Sequence, residues 1–366
     1  MGRLCELGLE TRYSRKRLDN AIEDMSLTDS LGYYIGNPGS AYADILHRPV
    51  SIPCTPTPGF SCTPDAGGNY FDTTPFCAEC PHAVPAIRRY DGIEIRYFKR
   101  PTEGKWFAQV SYTYSQLRGN YAGLVNTDPT DASGGRHSPN NGRAFDIPTM
   151  TYLPNGKNDY GRLSSDRPNT ANLFAYYPVK WAHMTTNFGL SETVYQGTPI
   201  ATCLPSIGTS SACQWAEGRG AFALLSRASN GNFVLNGVNN NARTDPFIQT
   251  DLSIRHEIPV SKTHENMRLT IEAQAANLLN QHAKLAFYEF AIPTNTLAPS
   301  RAPRFAGDPG YDYGKLMNGF NYIDALNGTG AFANGIQSPL TFASRYGMPN
   351  LFQGARTMRL QVRLTF

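Results

Sequence analysis

The chain has 366 residues, of which 40% are hydrophobic and 11% aromatic, and its formal net charge at pH 7 is +4. No apolar run reaches the roughly 18 residues that a transmembrane helix needs, and the basic residues form no tract of the kind that binds nucleic acid. A mean hydropathy of -0.39 is still compatible with a transmembrane β-barrel, because barrel strands face lipid only at every second residue.

The chain opens directly into strand-like sequence. Residues 1–6 show no charged segment that leads into an apolar one, so we expect no signal peptide. For a barrel protein this predicts that the sequence is a fragment or that its true start lies upstream.

Eight segments alternate between apolar and polar residues with a period of two, which indicates β-strands rather than helices. In chain order these segments are 7–14, 93–97, 106–115, 171–177, 184–194, 248–258, 267–275 and 356–366. The last segment ends the chain on Phe366, and its length of about ten residues is that of a tilted strand that crosses a bilayer.

The connections between these segments alternate in length. The short ones lie near 99–105, 180–183 and 259–266, and the long ones cover roughly 15–87, 116–168, 196–246 and 279–355. Compact soluble domains seldom contain repeated long loops, whereas outer-membrane barrels combine short periplasmic turns with long extracellular loops. The pattern predicts an all-β fold, an antiparallel transmembrane β-barrel segment of about eight strands whose last strand runs inward.

Several stretches resemble the C-terminal barrel of TonB-dependent receptors, in particular the Oar-like branch. They are RRYDGIEI at 88–95, WFAQVSYTYSQLRGNYAGL at 106–124, GRLSSDRP at 161–168, TDPFIQTDL at 244–252 and EAQAANLLNQ at 272–281. These stretches span most of the chain and keep their order. The resemblance implies a barrel of about 22 strands with an N-terminal plug inside it and a short segment that contacts TonB.

From this resemblance, we expect residues 1–366 to be the C-terminal part of such a barrel, with plug, TonB-contact segment and signal peptide absent. The chain would lie in the cell outer membrane, would catalyse no reaction and would bind no cofactor and no nucleic acid. Its expected partners are outer-membrane lipid, the barrel assembly machinery, and the plug and remaining strands of a full receptor. Phe366 would then act as a C-terminal assembly signal, and the chain alone would not transport a substrate.

Two other interpretations stay open. Eight strands can close into a small barrel whose interior is filled by side chains, which would make the chain a self-contained adhesin or structural protein of the outer membrane. A soluble secreted β-rich enzyme or binding protein is the third interpretation, and it predicts good solubility without detergent.

The cysteines point to disulfides in the long loops. Cys203 and Cys213 close a small loop, whereas Cys54, Cys62, Cys77 and Cys80 share the first long loop with no pairing that the sequence decides. Cys5 is left over. Two alternatives to disulfides stay open. One is a metal site at Cys77 and Cys80 with His47 and His82 nearby, and the other is a redox pair formed by the same two cysteines. We favour disulfides.

Other polar residues give weaker signals. The seven histidines form no metal-ligand pair, and His256 is expected near a membrane interface. Carboxylates at Asp19, Glu23, Asp24, Asp159 and Asp166 lack the spacing of a calcium loop. The inward-facing residues Arg268, Glu272, Arg359 and Arg363 are candidates for a channel lining. We favour charge pairing with neighbouring strands for these four.

Overall fold

The computed structural model describes most of the strand-forming sequence and part of the connections. The described residues are 7–25, 34–39, 52–53, 62–64, 66–72, 82, 84–100, 106–123, 145, 152–206, 209–260, 267–291, 319, 321–327, 329 and 342–366. Among them no helix is both long and apolar enough to span a bilayer.

Within these residues, the secondary structure is almost entirely β. The strands are β1 Leu7–Leu18, β2 Glu23–Met25, β3 Tyr34–Gly36, β4 Ile52–Pro53, β5 Cys62–Pro64, β6 Tyr70–Asp72, β7 Arg88–Lys99, β8 Phe107–Gly119, β9 Gly161–Arg162, β10 Asn169–Trp181, β11 Met184–Tyr195, β12 Cys203–Ser206, β13 Thr209–Trp215, β14 Phe222–Arg227, β15 Phe233–Asn239, β16 Phe247–Pro259, β17 Arg268–Ala276, β18 Lys284–Phe287, β19 Pro349–Phe352 and β20 Thr357–Thr365. The one helix, α1, is Tyr322–Asn327.

Eight long strands form the main sheet in the order β1-β7-β8-β10-β11-β16-β17-β20, and the short strand β9 adds to β8. Each of these eight strands pairs in antiparallel fashion with the next long strand along the chain. These eight strands coincide with the eight alternating segments, so the predicted all-β antiparallel fold is confirmed. The short connections, such as the turn at 182–183, lie at one end of the sheet and the long connections at the other.

One rung of the ladder can be followed across the whole main sheet. It passes through Leu7, Lys99, Ala108, Ala175, Leu190, Leu252, Ala275 and Met358, each paired with the next. Since side chains alternate between the two faces of a strand, this rung fixes which residues of all eight strands share a face.

The main sheet has two edges. In the described part of the chain β1 is paired with β7 alone and β20 with β17 alone, so these two strands are not paired with each other. Their backbone groups on the outer side are therefore available to a further strand.

The third and fourth long connections pack into a second, smaller unit, which we call the loop layer. It contains the hairpins β12–β13 and β14–β15, the helix α1 and part of the segment that leads to β19. Its apolar core consists of Leu204, Ala216, Leu225, Phe233, Ala291, Tyr322 and Leu326, with Ile323, Phe342 and Tyr346 packed against them. The long loops are thus folded where the structure describes this unit, which the sequence pattern did not predict.

Candidate functional site

One face of the main sheet is apolar and uncovered. We call it the apolar face, and it is the face that carries the rung from Leu7 to Met358. Its exposed large side chains include Leu9, Tyr13, Ile93, Ile95, Tyr97, Val110, Tyr112, Tyr114, Tyr177, Trp181, Phe188, Ile271, Met358, Leu360, Val362 and Leu364. Leu9 at 68% and Met358 at 70% exposure show how little of the described chain covers them. Contiguous apolar surfaces of this extent mark contact with lipid or another protein.

The apolar band crosses the sheet obliquely. Leu7 of β1 and Met358 of β20 share a rung. From that rung the apolar positions of β1 extend to Tyr13, toward the long connections. Those of β20 extend to Phe366, toward the short turns. The centre of the band shifts by about one residue per strand, which at about 3.3 Å per residue and about 4.8 Å between strands gives a tilt of roughly 35°. Strands of transmembrane barrels are tilted by about 35–45°.

Aromatic residues border the band on both sides. Tyr13, Tyr112 and Tyr114 lie at its margin near the long connections, and all three are exposed. Trp106 and Trp181 lie at the margin near the short turns and are exposed as well. This placement corresponds to the aromatic girdles of barrels.

His256 belongs to a polar cluster at the short-turn margin. Its Nδ1 lies 2.8 Å from the hydroxyl of Thr186, which also accepts a hydrogen bond from Trp181 Nε1 at 3.0 Å. The rings of Trp181 and His256 are 5.8 Å apart. The sequence predicts a histidine near an interface, but the cluster with Thr186 and Trp181 depends on cross-strand register and was missed.

The opposite face, the polar face, carries paired charges. Arg12 contacts Glu94 at 2.5 Å, and Arg96 contacts Glu10 at 3.4 Å and donates to Gln109 at 2.7 Å. These contacts join β1, β7 and β8 across the sheet. A water-filled interior favours side chains of this kind.

The four candidates for a channel lining all lie on the polar face. Arg268 contacts Glu257 on the neighbouring strand at 3.5 Å, in line with the favoured interpretation as charge pairing. Glu272 accepts a hydrogen bond from Gln274 at 2.5 Å. Arg359 lies opposite Gln274 and Arg363 opposite Thr270, so the structure places these residues on one face and pairs one of the arginines.

A cavity of about 580 Å³ opens on the polar face near the long connections, between β1, β7 and β8. Its lining includes Arg12, Lys16, Arg88, Tyr90 and Glu94. The cavity is therefore mainly cationic, and the sequence alone did not bring these residues together because they come from different strands.

Two buried ion pairs join the second long connection to the third. Arg219 contacts Asp159 at 2.7 Å, with side-chain exposures of 7% and 0%, and Arg243 contacts Asp166 at 2.5 Å. Asp166 also accepts a hydrogen bond from the backbone of Leu117 at 2.7 Å. Burial raises the pKa of Asp159 to about 6, against the opposing effect of Arg219. The two carboxylates serve as structural anchors.

Glu289 is a further carboxylate within the loop layer. Its Oε1 accepts a hydrogen bond from the backbone of Ala201 at 3.0 Å. Burial raises the pKa of Glu289 to about 7, and the bond from Ala201 opposes this shift. No local pattern marks this residue, because its surroundings come from segments far apart in the chain.

Cys203 and Cys213 are joined by a disulfide across the β12–β13 hairpin, with an S–S distance of 2.13 Å and a Cα–Cα distance of 5.0 Å. Cys5, Cys54, Cys77 and Cys80 lie outside the described residues, and Cys62 belongs to β5 without a described side chain. Their pairing stays a prediction. The described part of the chain contains no group of three or more His, Cys, Asp or Glu side chains that could hold a metal ion.

Phe366 follows β20 at the short-turn end of the apolar face and is 89% exposed. It has the position that the sequence predicts for it, at the end of the last strand. Its role as an assembly signal stays a prediction.

Comparison with known proteins gives one distant similarity. The chain is 27% identical over 198 residues to the TonB-dependent transporter Oar of Myxococcus xanthus, a match that covers 54% of this chain and 14% of that protein. The chain thus matches a small part of its relative's length. No family model matches the chain, and no solved structure is similar to it. The similarity supports a relationship to TonB-dependent receptors.

Proposed function

We propose that the chain forms the C-terminal arc of the outer-membrane β-barrel of a TonB-dependent transporter, and that it has no catalytic activity. The observation that carries this proposal is the exposed apolar band, which runs across all eight long strands at the tilt of barrel strands. A soluble protein would have to cover this surface, whereas lipid solvates it.

The two free edges support an arc within a larger barrel. Unpaired strand edges are not tolerated in lipid, since no water is there to satisfy their backbone groups. Further strands would therefore pair with β1 and β20. The match to 14% of a TonB-dependent transporter agrees with a piece of a longer barrel, and the plug of a full receptor would face the polar side of the sheet.

The proposal assigns a side to each end of the sheet. The long connections with the loop layer face the cell exterior and contribute to substrate capture, while the short turns face the periplasm. Phe366 then lies at the periplasmic end, where the barrel assembly machinery would recognise it. The charged residues of the polar face line the interior.

A small closed barrel is the second candidate, an adhesin or structural protein. The oblique course of the apolar band fits this small barrel as well as it fits the arc. A shift of about one residue per strand adds up to about eight residues over eight strands, which is the shear of a closed eight-stranded barrel. Closure would require β1 to pair with β20, which the described strands do not do.

Tryptophan fluorescence tests the membrane placement. The chain has 3 tryptophans, of which Trp106 and Trp181 lie on the apolar face and Trp215 lies in the loop layer beside Arg219. Single-tryptophan variants made by Trp→Phe changes are reconstituted into vesicles with brominated acyl chains. We expect strong quenching of Trp106 and Trp181 and little quenching of Trp215. Equal, weak quenching of all three would refute the proposal.

A further inference from the structure

Two arginines on the last strand of the main sheet lack a carboxylate partner. Arg359 and Arg363 lie on the polar face of β20 and are exposed. β17 places Gln274 opposite Arg359 and Thr270 opposite Arg363. Glu272 is diagonal to both arginines, but its carboxylate accepts a hydrogen bond from Gln274 instead. Within the described residues, neither arginine side chain forms an ion pair or a hydrogen bond.

Other arginines of the polar face contact a carboxylate on a neighbouring strand. Arg12 of β1 contacts Glu94 of β7 at 2.5 Å. Arg268 of β17 contacts Glu257 of β16 at 3.5 Å. Opposite charges on adjacent strands stabilise a sheet. In the described sheet β20 has β17 on one side alone, so its open side is where a further strand can supply carboxylates.

The two edge strands do not supply both carboxylates themselves. Closure into an eight-stranded barrel with a shear of eight residues would place Glu10 of β1 opposite Arg363. In the same register Ser14, which carries no charge, would face Arg359. Glu10 already contacts Arg96 at 3.4 Å. β20 has no carboxylate of its own, so two copies of the chain paired through β20 would leave its arginines without partners.

We propose that the strand which pairs with the free edge of β20 is acidic on its polar face, with carboxylates opposite Arg359 and Arg363. Antiparallel residues pair one to one, so these carboxylates lie four positions apart, and apolar residues alternate with them to continue the apolar band. This inference rests on the proposed place of the chain in a larger barrel, and it specifies the chemistry of the adjoining strand.

The two arginines also fix the register of that strand. A carboxylate binds a guanidinium group through two parallel hydrogen bonds, so each pair is formed only when the two residues face each other. A slip by one residue would turn both carboxylates to the lipid side. A slip by two residues would place one of them opposite Gln361, which carries no charge.

A synthetic strand with this pattern tests the proposal on the full chain in phosphatidylcholine vesicles. The probe is a peptide of alternating valine and threonine with glutamate at the fourth and eighth positions, and the comparison peptides carry glutamine or lysine there. A photoreactive benzoylphenylalanine at the fifth position, which would face Val362, crosslinks the bound peptide. Mass spectrometry maps and counts the crosslinks. We expect at least about fivefold more glutamate peptide than glutamine peptide at β20, and still less lysine peptide.

Charge reversal on the chain gives a second readout. With Arg359→Glu and Arg363→Glu together, the preference should invert, so that the lysine peptide is captured in place of the glutamate peptide. The control variant, Lys16→Glu with Lys157→Glu, changes the net charge by the same amount away from β20 and should keep the original preference.

The outcomes separate this inference from the proposed function. Equal capture of the three peptides by the unmodified chain, no capture, or crosslinks that map outside β20 would each overturn the acidic strand. Tryptophan quenching in brominated vesicles reports insertion of the chain and of each variant separately. Normal insertion with capture that ignores charge overturns this inference alone, whereas failure of the unmodified chain to insert overturns the proposed function.

Discussion

Leu7 and Met358 are the two ends of one rung that crosses the whole main sheet. From that shared level the apolar positions of the first strand extend toward the long connections, and those of the last strand extend toward the short turns. A membrane-parallel band that meets the strands at such an angle requires strands that are tilted, as they are in transmembrane barrels. Four predictions follow from this geometry and from the loop layer.

A charge on the apolar face should weaken folding in a bilayer. Phe188 is exposed near the centre of the band on β11, so Phe188→Arg is expected to lower the free energy of unfolding in vesicles by about 2–4 kcal/mol. Thr185→Arg, on the polar face of the same strand, should cost less than about 1 kcal/mol. Urea titration of the vesicle-inserted chain measures both values, and equal losses would mean that Phe188 does not face lipid.

Crosslinking separates the open arc from the closed small barrel. Cysteines introduced at Leu9 and Leu364, on the two edge strands, should not form a disulfide within one chain, although a shear of eight residues would place them opposite each other in a closed eight-stranded barrel. The matched control pair is Tyr97→Cys with Val110→Cys, which lie directly opposite each other on β7 and β8. Peptide mapping by mass spectrometry identifies the linked pairs, so the native cysteines can stay in place. An efficient intrachain Leu9–Leu364 link would favour the closed barrel.

Removal of Arg219 should destabilise the loop layer. Arg219→Met leaves the carboxylate of Asp159 buried without its cation, an effect that costs about 3–5 kcal/mol in comparable sites. Arg15→Met breaks the exposed pair with Asp91 and should cost less than about 1 kcal/mol. Hydrogen exchange of the amides of Thr202 and Ala223 reports the loop layer in each variant. Unchanged exchange in Arg219→Met would show that this ion pair does not hold the layer together.

The loop layer should become more stable as the pH falls from about 8 to about 5. The pKa of Glu289 is raised from 4.5 to about 7 by burial, so the folded state binds its proton more tightly than the unfolded state does. The resulting stabilisation is present below the unfolded pKa and is lost as the pH rises through about 7. Asp159, whose pKa is raised to about 6, acts in the same direction.

The change Glu289→Gln isolates this contribution. A glutamine still accepts the hydrogen bond from Ala201 but carries no charge, so the variant should be more stable than the unmodified chain at pH 8 by on the order of 1–3 kcal/mol. The difference should vanish near pH 5. Asp19→Asn, at an exposed position outside the loop layer, is the control and should leave the pH profile unchanged. Thermal unfolding across this pH range measures the profile, and a parallel shift at every pH would contradict the assignment to Glu289.

The strands and their faces were predictable from sequence because period-two alternation is a local property. The segment at 356–366 shows this well, since Met358 and Leu360 lie on the exposed apolar face as their spacing predicts. Register between strands is different, because it depends on pairing partners. Glu192 and Thr250 interrupt the apolar alternation of their segments. In the sheet they pair with each other, on the long-connection side of the centre of the apolar band in these strands.

The loop layer could not be predicted, because its contacts join residues far apart in the chain. Asp159 and Arg219 are 60 positions apart, and Ala201 and Glu289 are 88 apart. No short motif marks such pairs before the chain is folded.

The strictly sequential strand order has a consequence for how this protein can change over evolutionary time. In the part of the chain that the structure describes, the eight long strands pair with one another only as neighbours in the series, so a terminal hairpin can be gained or lost while the ladder between the remaining strands stays intact. The number of strands in the barrel can therefore change by two at a time, while the retained strands keep their sequences and their pairing.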